Sequence, residues 1–396
     1  MESIQPTVTS RQPIVAALSI GSVALLMIGL QPILLGAMVD TRHATLEGVG
    51  VIAMSEIVAL GIGVVLGDAL LPVGRLRIIT LLAALIISGF DVLTARLTGD
   101  TALAAVRAAA GLGEGVLVWV TTCVIVRSRT ADRLAGVFLT VQTLAQASVA
   151  AVFARAVIPH GGWQGGFAML GALALVPCVL SLRLPTTLKP ISHHASRPFV
   201  WSVISAMPLL IAFVQMAAIG SLWAYLEPIG QRAGLDAQAA QTAVSAVLFT
   251  QVAGGIAAAG AVRYVDNMLT LIGGAIALAL IPIGMHVLPA GHTASFIALC
   301  GVFGFVWLFL MPFHIGLALR LDRSGRVATL APGVQLLGTA FGPLVSSLVV
   351  KGDDASPVPF VTLGFSFTAI VVATTAYILR RRSACAPRTL EESNAH

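Results

Sequence analysis

Charge is what this chain has least of. Only 10% of its 396 residues are Asp, Glu, Lys or Arg, against about a quarter in an ordinary soluble domain. With 57% hydrophobic residues and a mean hydropathy of +0.95, a soluble fold is excluded. Cysteine is sparse too. Cys123, Cys178, Cys300 and Cys385 show neither metal nor disulfide spacing and read as small core residues or tail. No Gly-Lys-Ser/Thr loop is present to cradle a nucleotide phosphate, so ATP is not the expected energy source. No basic domain with interleaved aromatics exists either. The net charge of +6 comes from Lys and Arg scattered in short loops, which argues against nucleic acid. His193-His194 lacks further ligands nearby, so no metal is expected, and nothing calls for a cofactor.

What fills the chain is apolar runs of 18 residues or more, each long enough to cross about 30 Å of hydrocarbon. Runs of about twenty exclude a β-barrel, whose strands alternate over about ten residues. The expected fold class is an all-α membrane protein with twelve spans: Ile14–Met38, Gly48–Leu70, Ile78–Ala95, Ala102–Val126, Leu134–Val157, Gly166–Leu182, Val200–Tyr225, Ala237–Val262, Met268–Leu288, Ala294–Leu319, Val327–Val350 and Pro357–Leu379. The first run is too long for a signal-peptide core and reads as a retained helix. Residues 185–199 read as a cytoplasmic linker between six-helix bundles at 1–184 and 200–396. With the termini inside, 17 of the 23 Lys and Arg fall in cytoplasmic segments and five in outer loops, Arg107 being the remaining one. That split predicts both termini in the cytoplasm.

An internal repeat supports two related halves. Leu30-Gln-Pro-Ile33, followed by Asp40, recurs as Leu226-Glu-Pro-Ile229, followed by Asp236. Arg133-x-Ala135 with Val141-Gln142-x-Leu144 recurs as Arg326-x-Ala328 with Val334-Gln335-x-Leu337. A duplicated unit of this kind places a transporter's substrate between the halves near mid-membrane.

Twelve spans, two halves and a central linker resemble the major facilitator superfamily, over essentially the whole chain. Arg107-x-x-x-Gly111-x-Gly113 matches that family's motif B, with Ala110 where glutamine is usual. The resemblance implies a part in proton coupling for this arginine. Gly161-Gly-Trp163 with Phe167 resembles the turn before helix 6. In the loop between helices 2 and 3, Gly67, Gly74 and Arg75 keep the spacing of motif A, but Leu71 stands at its aspartate position. Asp68, one turn earlier, is the substitute for a gating role. The helix 5 signature of many exchangers is absent; a fragment, Gly338-x-x-x-Gly342-Pro343, lies on helix 11 instead.

Ionisable residues inside a span are costly and read as functional by default. Arg107, Gly111 and Glu114 share one helical stripe. Counted from the outer end of each span, Arg107 lies about 8 Å deep, Glu56 about 12 Å and Glu114 about 18 Å, with Asp91 at about 6 to 9 Å. Glu114 or Glu56 is the expected proton acceptor, with Arg107 switching its affinity. Asp91, near a span end, is expected to snorkel or pack helices, with coupling as its alternative role. The resemblance makes helices 1, 4, 7 and 10 line the cavity, flanked by 2, 5, 8 and 11. Their polar residues are Gln31, Gln142, Gln146, Gln215, Gln251, Trp307, His314 and Gln335. That set suits a neutral or singly charged organic solute. Trp223, Tyr225 and Glu227 end helix 7 at the outer surface, where Trp and Tyr read as interface anchors with an outer-gate role as the lesser alternative; Arg155 reads as a snorkelling residue, and Asp353-Asp354 as solvated.

The expected activity is secondary transport of a small molecule in exchange with, or together with, protons. Symport (uptake) is favoured by the missing helix 5 signature, with proton antiport as the alternative and a membrane-embedded enzyme as the remote one. The expected setting is a bacterial inner membrane, with lipids around a monomer.

Overall fold

A computed structural model describes residues 10–128, 131–186, 203–289, 291–321 and 326–385. Among these the chain is almost wholly helical, with an isolated β bridge between Lys351 and Asp354. In order, the helices are α1 (Arg11–Ala24), α2 (Leu26–Asp40), α3 (Leu46–Leu70), α4 (Leu76–Thr94), α5 (Asp100–Ile125), α6 (Ala131–Val152), α7 (Ile158–Leu173), α8 (Val176–Ser181), α9 (Val203–Trp223), α10 (Leu226–Arg232), α11 (Ala237–Ala261), α12 (Asn267–Val287), α13 (Thr293–Leu321), α14 (Arg326–Val349) and α15 (Val358–Cys385). Most of the expected linker, with His193 and His194, lies outside the described residues.

Eleven helical stretches among the described residues are long and apolar enough to cross a membrane. The expected fifth and sixth spans fall in one stretch, Arg133–Ser181, which is not continuous. A π turn spans Phe153–Val157, and Gly162 adopts φ 60°, ψ −167°, a backbone that favours glycine. The chain folds back there. A Cβ on Gly166 would lie 3.5 Å from the Phe153 ring, whereas thirteen residues of continuous helix would put them about 20 Å apart. The Gly161-Gly-Trp163 segment makes this reversal. It also seats Trp163, which is buried against His43 with ring centroids 4.9 Å apart.

Three helix pairs are drawn together by glycine. On α5, a Cβ at Gly111 would strike the carbonyl of Glu56, and one at Gly115 the carbonyl of Leu60, both on α3; Gly113 faces Ile87 on α4 instead. The matching pair in the second half is α11 and α13, where Gly254 meets the carbonyl of Phe305 and Gly304 that of Val247. Small residues of this kind let helix backbones touch where lipid supplies no hydrophobic drive. The Gly338-x-x-x-Gly342 fragment does the same job for α14 on α9, against the carbonyls of Phe213 and Ala217.

Proline opens the first span for partners. α1 gives way to α2 at Leu25. Pro32 has no N–H for the carbonyl of Ile28 four residues earlier, and the indole N–H of Trp223 donates to that oxygen instead, at 2.9 Å. The Leu25 carbonyl, at the break, accepts from Gln146 Nε2 at 2.6 Å.

The halves meet in a seam at the end of the bundle away from the termini. Besides the Trp223–Ile28 bond, Gly50 N–H donates to Tyr225 Oη at 3.1 Å, Gln231 Nε2 to Asp40 Oδ2 at 2.9 Å, and Gly352 N–H to Glu47 Oε1 at 3.0 Å. Gly50 also packs on the backbone of Pro343, and Gly36 on the carboxyl of Glu227. Trp223, Tyr225 and Glu227 are at most 1% exposed. This corrects their reading as interface anchors: the end of helix 7 faces the other half, so their polar atoms are met by protein rather than by headgroups.

Candidate functional site

The polar core of the first half is ionic. α3 brings Glu56, α4 brings Asp91, and α5 brings Arg107 and Glu114. All four are buried. Arg107 Nη1 donates to Asp91 Oδ1 at 2.5 Å, and Nη2 donates both to Glu56 Oε1 and to Glu114 Oε1, the latter at 3.2 Å. Gln31 Nε2 donates to Glu56 Oε2 at 3.3 Å. The guanidinium lies 5.3 Å from the centre of the Phe167 ring, so the turn at Gly162 places an aromatic face against the cation. The close approach of α3 and α5 at Gly111 is what brings Glu56 within reach of Arg107.

Here the depth count brought the right partners together, with one correction. Asp91 does not snorkel. It is 3% exposed, because α4 continues past it to Thr94 and turns this residue inward onto the guanidinium. Glu114 is the least committed carboxyl. Its Oε2 has no hydrogen-bond partner, and together with Asp91 it borders a void of about 10 Å³ beside the α1–α2 break. That is about one water in size.

A larger cavity of about 440 Å³ lies between the halves, on the termini side of the seam. Its roof is Trp223 and Trp307, edge to face with centroids 5.2 Å apart. Gln142 and Gln146 line it from the first half, Gln251, Gln335 and Thr339 from the second, and the rest of the wall is chiefly aliphatic. Among the described residues, no ionisable side chain lines it. Two amide atoms there lack partners, Gln142 Oε1 and Gln251 Nε2. The cavity and the ionic cluster share a helix: α5 carries Glu114, then Val118 and Thr122 in the cavity wall one and two turns on.

Of the residues expected to bind substrate, Gln142, Gln146, Gln251, Trp307 and Gln335 line the cavity, whereas Gln31, Gln215 and His314 do not. Gln31 belongs to the ionic cluster. Gln215 and His314 form a buried neutral network. His314 Nε2 meets Gln215 Oε1 at 2.6 Å, its Nδ1 meets Gln335 Nε2 at 3.1 Å, and Gln215 Nε2 donates to the carbonyl of Leu271 at 2.7 Å. With both ring nitrogens met by amides, the imidazole is spoken for within the protein. Trp223 is the cavity residue the sequence reading misplaced. The signal was Pro32, which leaves a carbonyl in need of a donor across the interface.

At the termini end, the expected gating group is only partly assembled. Gly67 packs on Trp119, whose indole N–H donates to Asp68 Oδ1 at 3.3 Å. Gly74 has open space around it, and Arg75 is exposed. Asp68 thus engages α5 rather than Arg75. Arg155 is exposed as expected, bordering a small cleft with Thr242 and Ser245 of α11. Asp354 is not simply solvated: it pairs with Arg232 and accepts from Ser356 N–H at 2.9 Å. The Ser356 contacts, ahead of Arg232, hold its carboxyl below the usual range.

Comparison with known proteins now has a geometry to meet. The profile of the Major Facilitator Superfamily matches residues 16–343. Solved structures that share the fold include the nucleoside transporter NupG, at 13% identity with TM-score 0.70, covering 94% of this chain and 100% of that one. A D-xylose-proton symporter aligns at 15% identity and TM-score 0.72, covering 92% and 97%. A bacterial homologue of the human lysosomal transporter Spinster, described as inward-facing and unoccupied, aligns at 14% identity and TM-score 0.66, covering 95% and 98%. No curated protein matches in sequence. The chain belongs to the major facilitator superfamily and is a multi-pass membrane protein of that transporter family.

Proposed function

We propose, with that membership as premise, that the protein is a proton-coupled secondary transporter of a small, uncharged or singly charged organic solute, working by alternating access. The observation that carries this reading is a division of labour along α5: a buried ionic cluster at one level and, at the next, a solute-sized cavity with no ionisable side chain among its described wall residues. Three carboxyl groups share one guanidinium. Fully ionised, they leave two negative charges in a dry interior, a costly state. One proton halves that surplus, and its loss or gain changes how α3, α4 and α5 hold together. Glu114, with a free oxygen and a water-sized void beside it, is the proposed carrier. Glu56 and Asp91 set its affinity through Arg107.

The cavity selects by hydrogen bonding and apolar contact. Its amides offer a free acceptor and a free donor, and its indoles a planar face. In the proposed orientation, with both termini in the cytoplasm of a bacterial cell, the sealed seam is external and the cavity faces inward. The segment that runs from the end of α3 to the start of α4, with Gly67, Asp68, Gly74 and Arg75, lies at the termini end and is the proposed inner gate. Uptake by symport is the favoured direction. The aliphatic wall favours a second reading, export of a lipophilic solute by antiport.

One experiment tests both. Purified protein is placed in proteoliposomes with a pH dye in the lumen, and a panel of neutral organic solutes is added under a proton gradient. Symport moves protons with the solute and antiport against it; Glu114→Gln is expected to uncouple either by at least tenfold while solute binding persists. Solute movement without protons, or full coupling in both Glu114→Gln and Glu56→Gln, sinks the proposal.

A further inference from the structure

One buried carboxyl is left without a role by the cluster and the cavity. Glu227 lies on α10, beyond the apolar span Ala206–Trp223, in the seam between the halves. It is 0% exposed. One oxygen accepts from Gln241 Nε2 of α11 at 3.0 Å, and the other has no partner. From the opposite half, α2 presses on it so closely that a Cβ on Gly36 would overlap the carboxyl. No cation pairs with it among the described residues, in contrast to every carboxyl around Arg107.

The charged groups on the packed elements do not supply one. Asp40, at the end of α2, faces Glu227 with the same sign and is exposed. Asp236 caps α11 by accepting from Ala239 N–H. Arg232, on the same helix as Glu227, is paired with Asp354. Arg155 lies past α11 beside Thr242 and Ser245. An ionised Glu227 would therefore sit unpaired in a dry interface, where the neutral acid is favoured.

We propose that Glu227 is a second proton site, separate from the Arg107 cluster, which takes up one proton as the two halves close over it. The inference rests on the alternating access proposed above. When the halves part at this end, Gly36 and α2 leave, and the carboxyl meets water and ionises. When they close, burial returns the proton to it. Closure is then linked to the pH of the compartment that the seam faces. Glu227 acts on the gate and needs no contact with solute.

The test reads the gate and not the transport, so it stands apart from the proteoliposome experiment. Spin labels go at Thr98→Cys and Asp353→Cys, both exposed at the seam end, with the four native cysteines replaced by alanine. Glu114→Gln is included to silence the cluster. Distance distributions are measured in lipid nanodiscs between pH 5 and 9. One linked proton predicts that the open-to-closed ratio rises about tenfold per pH unit above the carboxyl's solvent value. Glu227→Gln, neutral and of the same shape, is expected to hold the seam closed with no pH response. Asp40→Asn is expected to keep the full response. A ratio independent of pH in the parent, an undiminished slope in Glu227→Gln, or a response abolished by Asp40→Asn would each overturn the assignment.

Discussion

The pair α3/α5 in the first half and the pair α11/α13 in the second are built alike and filled differently. In each, glycines on facing helices bring the backbones into contact. Between α3 and α5 the space holds Glu56, Arg107 and Glu114, with Asp91 added from α4. On α11 and α13 the buried polar residues include Gln251, Trp307 and His314, and the histidine is held by Gln215 and Gln335. The first half has a charged core, the proposed site of proton exchange; between α11 and α13 the core is neutral, and its amides and the Trp307 indole face the cavity or one another. Helix packing is thus indifferent to what the halves do, and a few side chains divide the proposed labour between them.

The contrast is broken most severely at Arg107. Arg107→Met leaves three carboxyls without a cation, and losing one partner of a buried pair costs about 3 kcal/mol or more. The expected result is loss of gradient-driven uptake and a clearly lower melting temperature of the purified protein. An unchanged melting temperature would mean that the cluster is not a structural linchpin.

The shared part of the design predicts equal damage. Gly111→Ala and Gly304→Ala each push a methyl into the facing backbone, and overpacking of this sort costs about 1 to 3 kcal/mol. Both are expected to lower thermal stability to a similar degree. If only Gly111→Ala does so, the close approach serves the ion cluster and not the fold in general.

Smaller effects are expected in the neutral half. Gln251→Ala removes one cavity amide, and a polar contact of about 1 kcal/mol corresponds to about fivefold in affinity. The half-saturation concentration for the solute is expected to rise by that factor with little change in maximal rate. His314→Gln is the mildest. It keeps hydrogen bonding in place, and interhelical hydrogen bonds in membranes average about 0.6 kcal/mol, so stability is expected to shift little and proton coupling to be retained. Loss of coupling in this variant would show that the neutral network around His314 also carries protons and would erase the contrast.

Hydropathy and helical spacing made much of this legible. Arg107 and Glu114 fall on one stripe by counting, and Glu56 matches them in depth, because rise per residue converts position in a span into depth. The same counting put Asp91 near a span end, and only its neighbours show that it turns inward onto Arg107 rather than towards the surface. It also could not divide the glutamines: Gln251 and Gln215 look alike in sequence, yet one lines the cavity and the other bonds Leu271. Trp223, Tyr225 and Glu227 have the composition of a membrane interface, and only their partners Ile28, Gly50 and Gly36 show a closed seam.

By itself, then, the sequence determined the class of the molecule, the places of its helices and the levels at which charge is buried. Lipid leaves a spanning segment few choices, and a helix must satisfy its own backbone wherever it lies. Only the tertiary structure decided which side chains share a level and also a direction, which end of the bundle is sealed, and where the neutral cavity opens. Those outcomes depend on the rotation of each helix about its axis and on its neighbour across a contact, and glycine and proline set these through packing between segments far apart in the chain.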